Sequence, residues 1–201
     1  MNLLIDLVPT AIEIDGEEYE INSNFRESIL FELMMLDTSI TEEEKIIQAL
    51  ELYYPVLPKD LNKAIEGILW FYRCGKDEVI NKNKGTGKST NVYSFDYDDD
   101  LIYSAFLDQY GVDLQDVEYL HWWKFKAMFR GLKEDNEIVK IMGYRAMDIS
   151  KIKDKEQKAH YTKMQELYKI PIAKDERNKL DEINDILLNG GDIDKTLQAL
   201  T

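Results

Sequence analysis

The chain has 201 residues, with 25 Lys and Arg against 39 Asp and Glu, and a net charge of −14. Nucleic-acid binding is not expected of so acidic a chain, because phosphate contacts need clustered basic side chains. No apolar run is long enough to span a membrane, and the first ten residues lack the basic start of a secretory signal. A single Cys excludes an intrachain disulfide and a Cys-rich zinc site.

The charge is unevenly distributed along the chain. Residues 1–60 hold 3 basic and 14 acidic side chains, and residues 91–120 hold no basic and 8 acidic side chains. Residues 121–170, in contrast, hold 12 basic and 7 acidic side chains. Such alternation is typical either of solvated helix faces or of acidic and basic surfaces that attract each other between copies. We therefore expect self-association, and we expect it to weaken as salt rises.

The first element in chain order is a predicted β-hairpin over residues 10–21. Apolar and polar residues alternate on both sides of Asp15 and Gly16, a pair that supplies the positive φ values of a type I′ turn. In the expected register, Ile12 lies opposite Tyr19. Because a lone hairpin is marginally stable in water, its apolar face is expected to pack on helices.

From about residue 24 onward the apolar residues follow a helical period. Thr41 followed by Glu44 predicts a capping box at the start of one helix. A helix beginning at Asp113 and ending near Phe129 is apolar almost all round, which is typical of a central core helix. The predicted fold class is mainly α (α+β), with an N-terminal β-hairpin packed on a bundle of six to seven helices.

Two segments interrupt or follow this pattern. Residues 76–95 are polar and aperiodic, which predicts a mobile central loop. Its string Gly85-Thr-Gly-Lys-Ser89 resembles the end of a phosphate-binding loop, but Lys82 stands where the motif needs glycine and no strand precedes it. We expect a single globular domain over residues 1–170 and a helical C-terminal extension over residues 171–201.

No constellation of residues indicates catalysis. The two histidines, His121 and His160, have no second His or Cys at helical ligand spacing, so no metal site is expected. The run Asp96-Tyr-Asp-Asp-Asp100 lacks the pattern of a calcium loop and is better explained by helix capping. We therefore expect no catalytic residues, no cofactor, no metal and no enzymatic activity.

Two aromatic clusters allow two interpretations. Trp70-Phe-Tyr72 and His121-Trp-Trp123 either build the core or anchor a partner, since Trp and Tyr dominate interface hot spots. In a helical projection, Trp123 lies away from the main apolar arc of its helix. That position makes Trp123 a candidate for exposure.

Several ordered strings together resemble a known family. They are Ile14-Asp-Gly-Glu-Glu-Tyr-Glu-Ile-Asn22, Phe25-Arg26, Leu69-Trp-Phe-Tyr-Arg-Cys-Gly75, Tyr119-Leu-His-Trp-Trp-Lys-Phe125, Phe129-Arg-Gly-Leu132, Val139-Lys-Ile-Met-Gly-Tyr-Arg145 and Lys151-Ile-Lys-Asp-Lys-Glu-Gln157. The chain is similar, over residues from about 8 to 170, to the bacteriophage gene-product-fifteen family. This family is encoded in the tail modules of long-tailed phages and prophages of Gram-positive bacteria.

The resemblance implies a non-enzymatic tail assembly chaperone. Its expected partners are the hydrophobic tape-measure protein and the tail-tube protein, in the cytoplasm of the bacterial host and not in the mature virion. The alternative is a structural subunit retained in the tail or its connector. As a hypothesis, the partner contacts are Leu4 and Leu7 of the N-terminal segment, together with Tyr119 and Trp123.

Overall fold

The computed structural model describes residues 2–76 and 92–171. The secondary-structure elements in chain order are β1 (Ala11–Ile14), β2 (Glu17–Glu20), α1 (Phe25–Leu36), α2 (Glu42–Tyr53), α3 (Leu61–Tyr72), α4 (Asp99–Tyr110), α5 (Trp122–Arg130), α6 (Glu137–Ala146), a short 3-10 helix (Ile149–Lys151) and α7 (Lys155–Leu167). The predicted fold class is therefore confirmed: a two-stranded hairpin precedes seven α-helices in the described part of the chain.

The hairpin has the predicted register and turn. Ile12 lies opposite Tyr19, and Asp15 and Gly16 adopt φ values of 53° and 80°. Ile12 is buried against α3, where a Cβ added to Gly67 would lie 3.0 Å from the Ile12 Cγ2 atom. The close approach of strand and helix therefore depends on glycine at this position.

Local capping accounts for most helix starts. The Thr41 hydroxyl accepts a hydrogen bond from the Glu44 amide, and the Glu44 carboxylate accepts one from the Thr41 amide. This confirms the predicted capping box of α2. Asp60 caps α3 by accepting from two amides, and Asn24 caps α1.

The helix predicted to begin at Asp113 begins instead at Trp122. The Asp113 carboxylate accepts a hydrogen bond from the Gln115 amide (2.8 Å), which forms a turn in place of helix. The guanidinium of Arg26 then donates to backbone carbonyls of the same segment, including those of Leu114 (2.7 Å) and Val117 (2.9 Å). These side-chain contacts satisfy carbonyls that a longer α5 would have bonded internally.

The starts of α1 and α5 are joined by the backbone. The Phe25 amide donates to the Leu120 carbonyl, and the Trp122 amide donates to the Ser23 carbonyl, both over 2.9 Å. α5 lies between α1 and α4, and its buried side chains Trp122, Trp123, Phe125 and Phe129 confirm it as a central core helix. α6 packs on α4, and α7 packs on α6.

Some predictions fall partly or wholly outside the described residues. The predicted mobile loop over 76–95 includes residues 77–91, which lie outside them, as does the glycine-rich string at 85–89. The predicted C-terminal extension lies beyond the last described residue, Pro171. The single-domain boundary at about 170 stays a prediction.

Candidate partner-binding surface

The N-terminal segment, residues 2–8, presents apolar side chains to solvent. Leu4, Ile5 and Leu7 are 92%, 81% and 93% exposed. The segment is ordered by its own hydrogen bonds, since the Asp6 amide donates to the Asn2 carbonyl (2.8 Å) and the Asp6 carboxylate accepts from the Asn2 amide (2.6 Å). A short closed turn therefore holds three apolar side chains outward.

This N-terminal segment lies against α5 and is fixed at its end by His121. The His121 Nε2 atom is 2.9 Å from the Pro9 carbonyl oxygen, and Nδ1 accepts a hydrogen bond from the Trp123 amide (3.0 Å). Because Nδ1 accepts, the ring proton belongs on Nε2, which donates to Pro9. An open cavity of about 480 Å³ remains between the segment and the α5 residues Lys124 and Met128.

The environment of His121 favours the neutral imidazole. Burial lowers the pKa of His121, the nearby Lys124 charge lowers this pKa further, and the contact with Pro9 opposes the shift. Neutral His121 thus performs two structural tasks: it caps α5 and it anchors the N-terminal segment. It is a residue that the sequence analysis considered as a metal ligand and rejected.

Tyr119 lies at the junction of α1 and α5. Its side chain is 52% exposed, and its hydroxyl is 2.8 Å from the Ser23 hydroxyl. The hydrogen bond holds one end of the ring while the remainder faces solvent. Tyr119, Leu4 and Leu7 are thus accessible, as a partner contact requires.

Trp123 is buried, contrary to the hypothesis that it contacts a partner. Its side chain is 1% exposed, and its indole N–H donates to the Phe71 carbonyl (2.7 Å) at the end of α3. The adjacent Trp122 indole donates to the Tyr72 carbonyl (2.9 Å). A position off the main apolar arc did not expose Trp123, because α5 is covered on this side as well: the Trp123 ring packs against Phe71 at the end of α3.

Lys126 is a charged residue on α5, and its side chain is half-buried. Its Nζ atom lies 5.0 Å from the centre of the Trp122 ring and donates to the Tyr93 hydroxyl (3.2 Å). Burial lowers the pKa of this amine. The contacts attach the segment before α4 to α5, which is a structural role.

The ion pair of Asp98 and Arg145 is a feature that the sequence does not predict. Asp98 was interpreted as a helix cap, but its side chain makes no capping hydrogen bond to α4. It binds Arg145 instead, and both side chains are buried. No local signal reveals this pair, because the two residues are far apart in sequence and similar charges surround each of them.

The described ranges 2–76 and 92–171 hold no group of three His, Cys, Asp or Glu side chains that could bind a metal ion. In these ranges, none of the helices has the length and apolar character needed to cross a membrane. The described surface is instead distinguished by exposed apolar side chains and by acidic and basic residues that lie in different parts of the sequence.

The chain is therefore a mainly helical protein with an N-terminal hairpin and an exposed apolar N-terminal segment. Residues 4–170 match the family described as Bacteriophage Gp15 protein, and the chain belongs to this family. Comparison with curated proteins and with solved structures finds no match. The family is of the phage structural type, so the chain is a phage structural or assembly protein.

Proposed function

We propose that this protein is a non-enzymatic tail assembly chaperone that binds the phage tape-measure protein and assists assembly of the tail tube. The observation that carries the proposal is the exposure of Leu4 and Leu7, at 92% and 93%. An ordered segment that holds large apolar side chains in water is typical of a surface that binds an apolar partner. The matched family region begins at Leu4 and therefore includes both side chains.

The charge of the chain supports the same function. A net charge of −14 keeps a complex with an aggregation-prone client soluble, because like-charged complexes repel one another. Tyr119 adds a second exposed contact, and its hydroxyl is held by Ser23. Trp123 is left out of the proposed surface because its side chain lies in the core.

The test is co-expression with the tape-measure protein of the same phage. We expect more tape-measure protein in the soluble fraction with the wild-type chain than without it. The variant Leu4→Ser/Leu7→Ser should lose this effect. The matched control is Val56→Ser/Leu57→Ser, which removes two exposed apolar side chains elsewhere (71% and 52% exposed) and should retain it. Equal solubility with and without the wild-type chain would refute the chaperone function.

Mass spectrometry of purified particles separates this function from that of a structural subunit. A chaperone acts in the host cytoplasm and is expected to be absent from the virion, whereas a tail or connector subunit is retained. Detection of the chain at a fixed number of copies per particle would favour the structural subunit.

A further inference from the structure

One face of α7 is basic and has no partner in the described part of the chain. Lys155, Lys158 and Lys163 are exposed, and none of them pairs with a described acidic side chain. Glu166 and Leu167 lie on the same open surface of this helix, and Leu167 is 61% exposed. We call this surface the α7 face.

A second unpartnered surface lies between β1 and α3 and is acidic. Glu13, Glu66 and Trp70 line a groove of about 550 Å³, which we call the β1–α3 groove. Trp70 is 38% exposed, and its ring packs edge-on against Trp123 with ring centres 5.4 Å apart. A partly exposed Trp held by the core is the kind of side chain that anchors interfaces.

Described lysines neutralise only part of the acidic charge at this end, through the pairs Lys59–Glu17 and Lys63–Asp15. Glu13 lies directly opposite Glu18 in the strand pair, and like charges in this position destabilise a strand pair. Among the described residues, neither carboxylate has a cationic partner. Lys63, which also lines the groove, forms an ion pair with Asp15.

The hairpin and α7, which carry the two surfaces, are separated by several other elements in the chain of packing contacts. The main backbone contacts run from the hairpin to α3, α2, α1, α5, α4, α6 and finally α7. The acidic hairpin and the basic α7 share none of these main contacts, so one copy can use both surfaces at once.

We propose that copies of this chain associate head to tail, with the α7 face of one copy bound in the β1–α3 groove of the next. The lysines of α7 meet Glu13 and Glu66, and Leu167 packs on Trp70. A symmetric dimer through α7 would place basic faces against each other. The opposite-charge contact is instead heterologous, so it produces a ring or a filament. The proposal needs no client and extends beyond the chaperone function.

Charge reversal on each surface tests this pairing by sedimentation velocity on the full chain. Glu13→Lys/Glu66→Lys reverses the groove, and Lys155→Glu/Lys158→Glu reverses the α7 face. All four positions are exposed, so both variants should keep the wild-type circular dichroism. The control Asp108→Lys/Glu134→Lys makes the same charge change as the groove variant at exposed positions outside both surfaces.

Wild type and control should associate with rising concentration at low salt. Each reversed variant should bind itself at least about tenfold more weakly, because its two surfaces then carry the same sign. An equimolar mixture of the two variants should associate again, since every contact between unlike copies is attractive. Association should weaken between about 0.1 M and about 1 M salt, over which the Debye length falls from about 10 Å to about 3 Å.

Three results would overturn the proposal: a monomeric wild type at low salt, a reversed variant that associates like the control, or a mixture that stays monomeric. The residues after 171 are also acidic, with seven Asp or Glu against four Lys or Arg. If they occupied the α7 face of their own chain, the first of these results would be observed.

Discussion

Asp98 and Arg145 form a buried bidentate ion pair that joins the start of α4 to α6. Arg145 Nη1 is 2.6 Å from Asp98 Oδ2, and Nη2 is 2.9 Å from Oδ1. The same guanidinium donates to the carbonyls of Val92 and Tyr168. One side chain therefore connects the segment before α4, two helices and the end of α7.

Arg145→Met should destabilise the protein by about 3–5 kcal/mol, because it leaves the Asp98 carboxylate buried without its cation. Urea unfolding followed by circular dichroism measures the loss. The surface pair of Lys151 and Asp148 is the control: its side chains are 82% and 49% exposed, so Lys151→Met should cost less than about 1 kcal/mol. The double variant Arg145→Met/Asp98→Asn should be more stable than Arg145→Met alone. If it is less stable, the two residues are not coupled as the structure indicates.

The elements that the sequence predicted well depend on neighbouring residues. The Asp15-Gly16 turn and the Thr41–Glu44 capping box each need only a few consecutive side chains, and both are present. Their geometry is determined by local φ preferences and by hydrogen bonds within one turn. The hairpin register followed from the turn.

Features that depend on distant residues were not predictable. The ion pair of Asp98 spans 47 positions, and in sequence this carboxylate is indistinguishable from its neighbours Asp99 and Asp100. The late start of α5 depends on Arg26, which binds carbonyls about 90 residues away. The burial of Trp123 was not predicted for the same reason, since it depends on the end of α3, about 50 residues earlier, packing against α5.

Trp123→Phe should destabilise the protein by about 2–4 kcal/mol. The change removes one donor to the buried Phe71 carbonyl, which keeps its bond from the Cys74 amide, and leaves a small cavity beside α3. Trp70→Phe is the matched control. Because Trp70 is partly exposed, this substitution should lower the free energy of unfolding clearly less. Thermal unfolding of the two variants compares them directly. Equal losses would mean that the hydrogen bond to Phe71 contributes little.

Glu18→Lys should stabilise the hairpin by about 0.2–1 kcal/mol, because it converts the like-charged pair with Glu13 into an opposite-charged one. Glu20→Lys is the control, since Glu20 lies opposite Ala11 and gains no direct partner. Urea unfolding at about 0.1 M salt and at a low protein concentration keeps the chains dissociated without screening the Glu13–Glu18 pair. Equal midpoints for the two variants would show that the Glu13–Glu18 repulsion is negligible.

The stability of the fold should decrease as the pH falls from about 7.5 to about 5, and His121 should account for a measurable part of the decrease. Burial lowers the pKa of His121 in the folded protein below its ordinary value of 6.5. The unfolded chain therefore binds the proton more tightly, and the stabilisation present above about pH 6.5 is lost as the pH falls toward the folded pKa. Protonation also removes the acceptor that Nδ1 offers to the Trp123 amide.

His121→Asn separates this effect from the titration of other groups. Asn retains a side-chain oxygen that can cap α5 but does not titrate, so the urea midpoint of this variant should vary less between pH 7.5 and 5 than that of wild type. The control is His160→Asn on the exposed side of α7, which should keep the wild-type pH dependence. If both variants follow the wild-type curve, the pH dependence arises elsewhere. If only His121→Asn flattens it, protonation of this one ring weakens the α5 cap at the Trp123 amide, while Nε2 still donates to the Pro9 carbonyl.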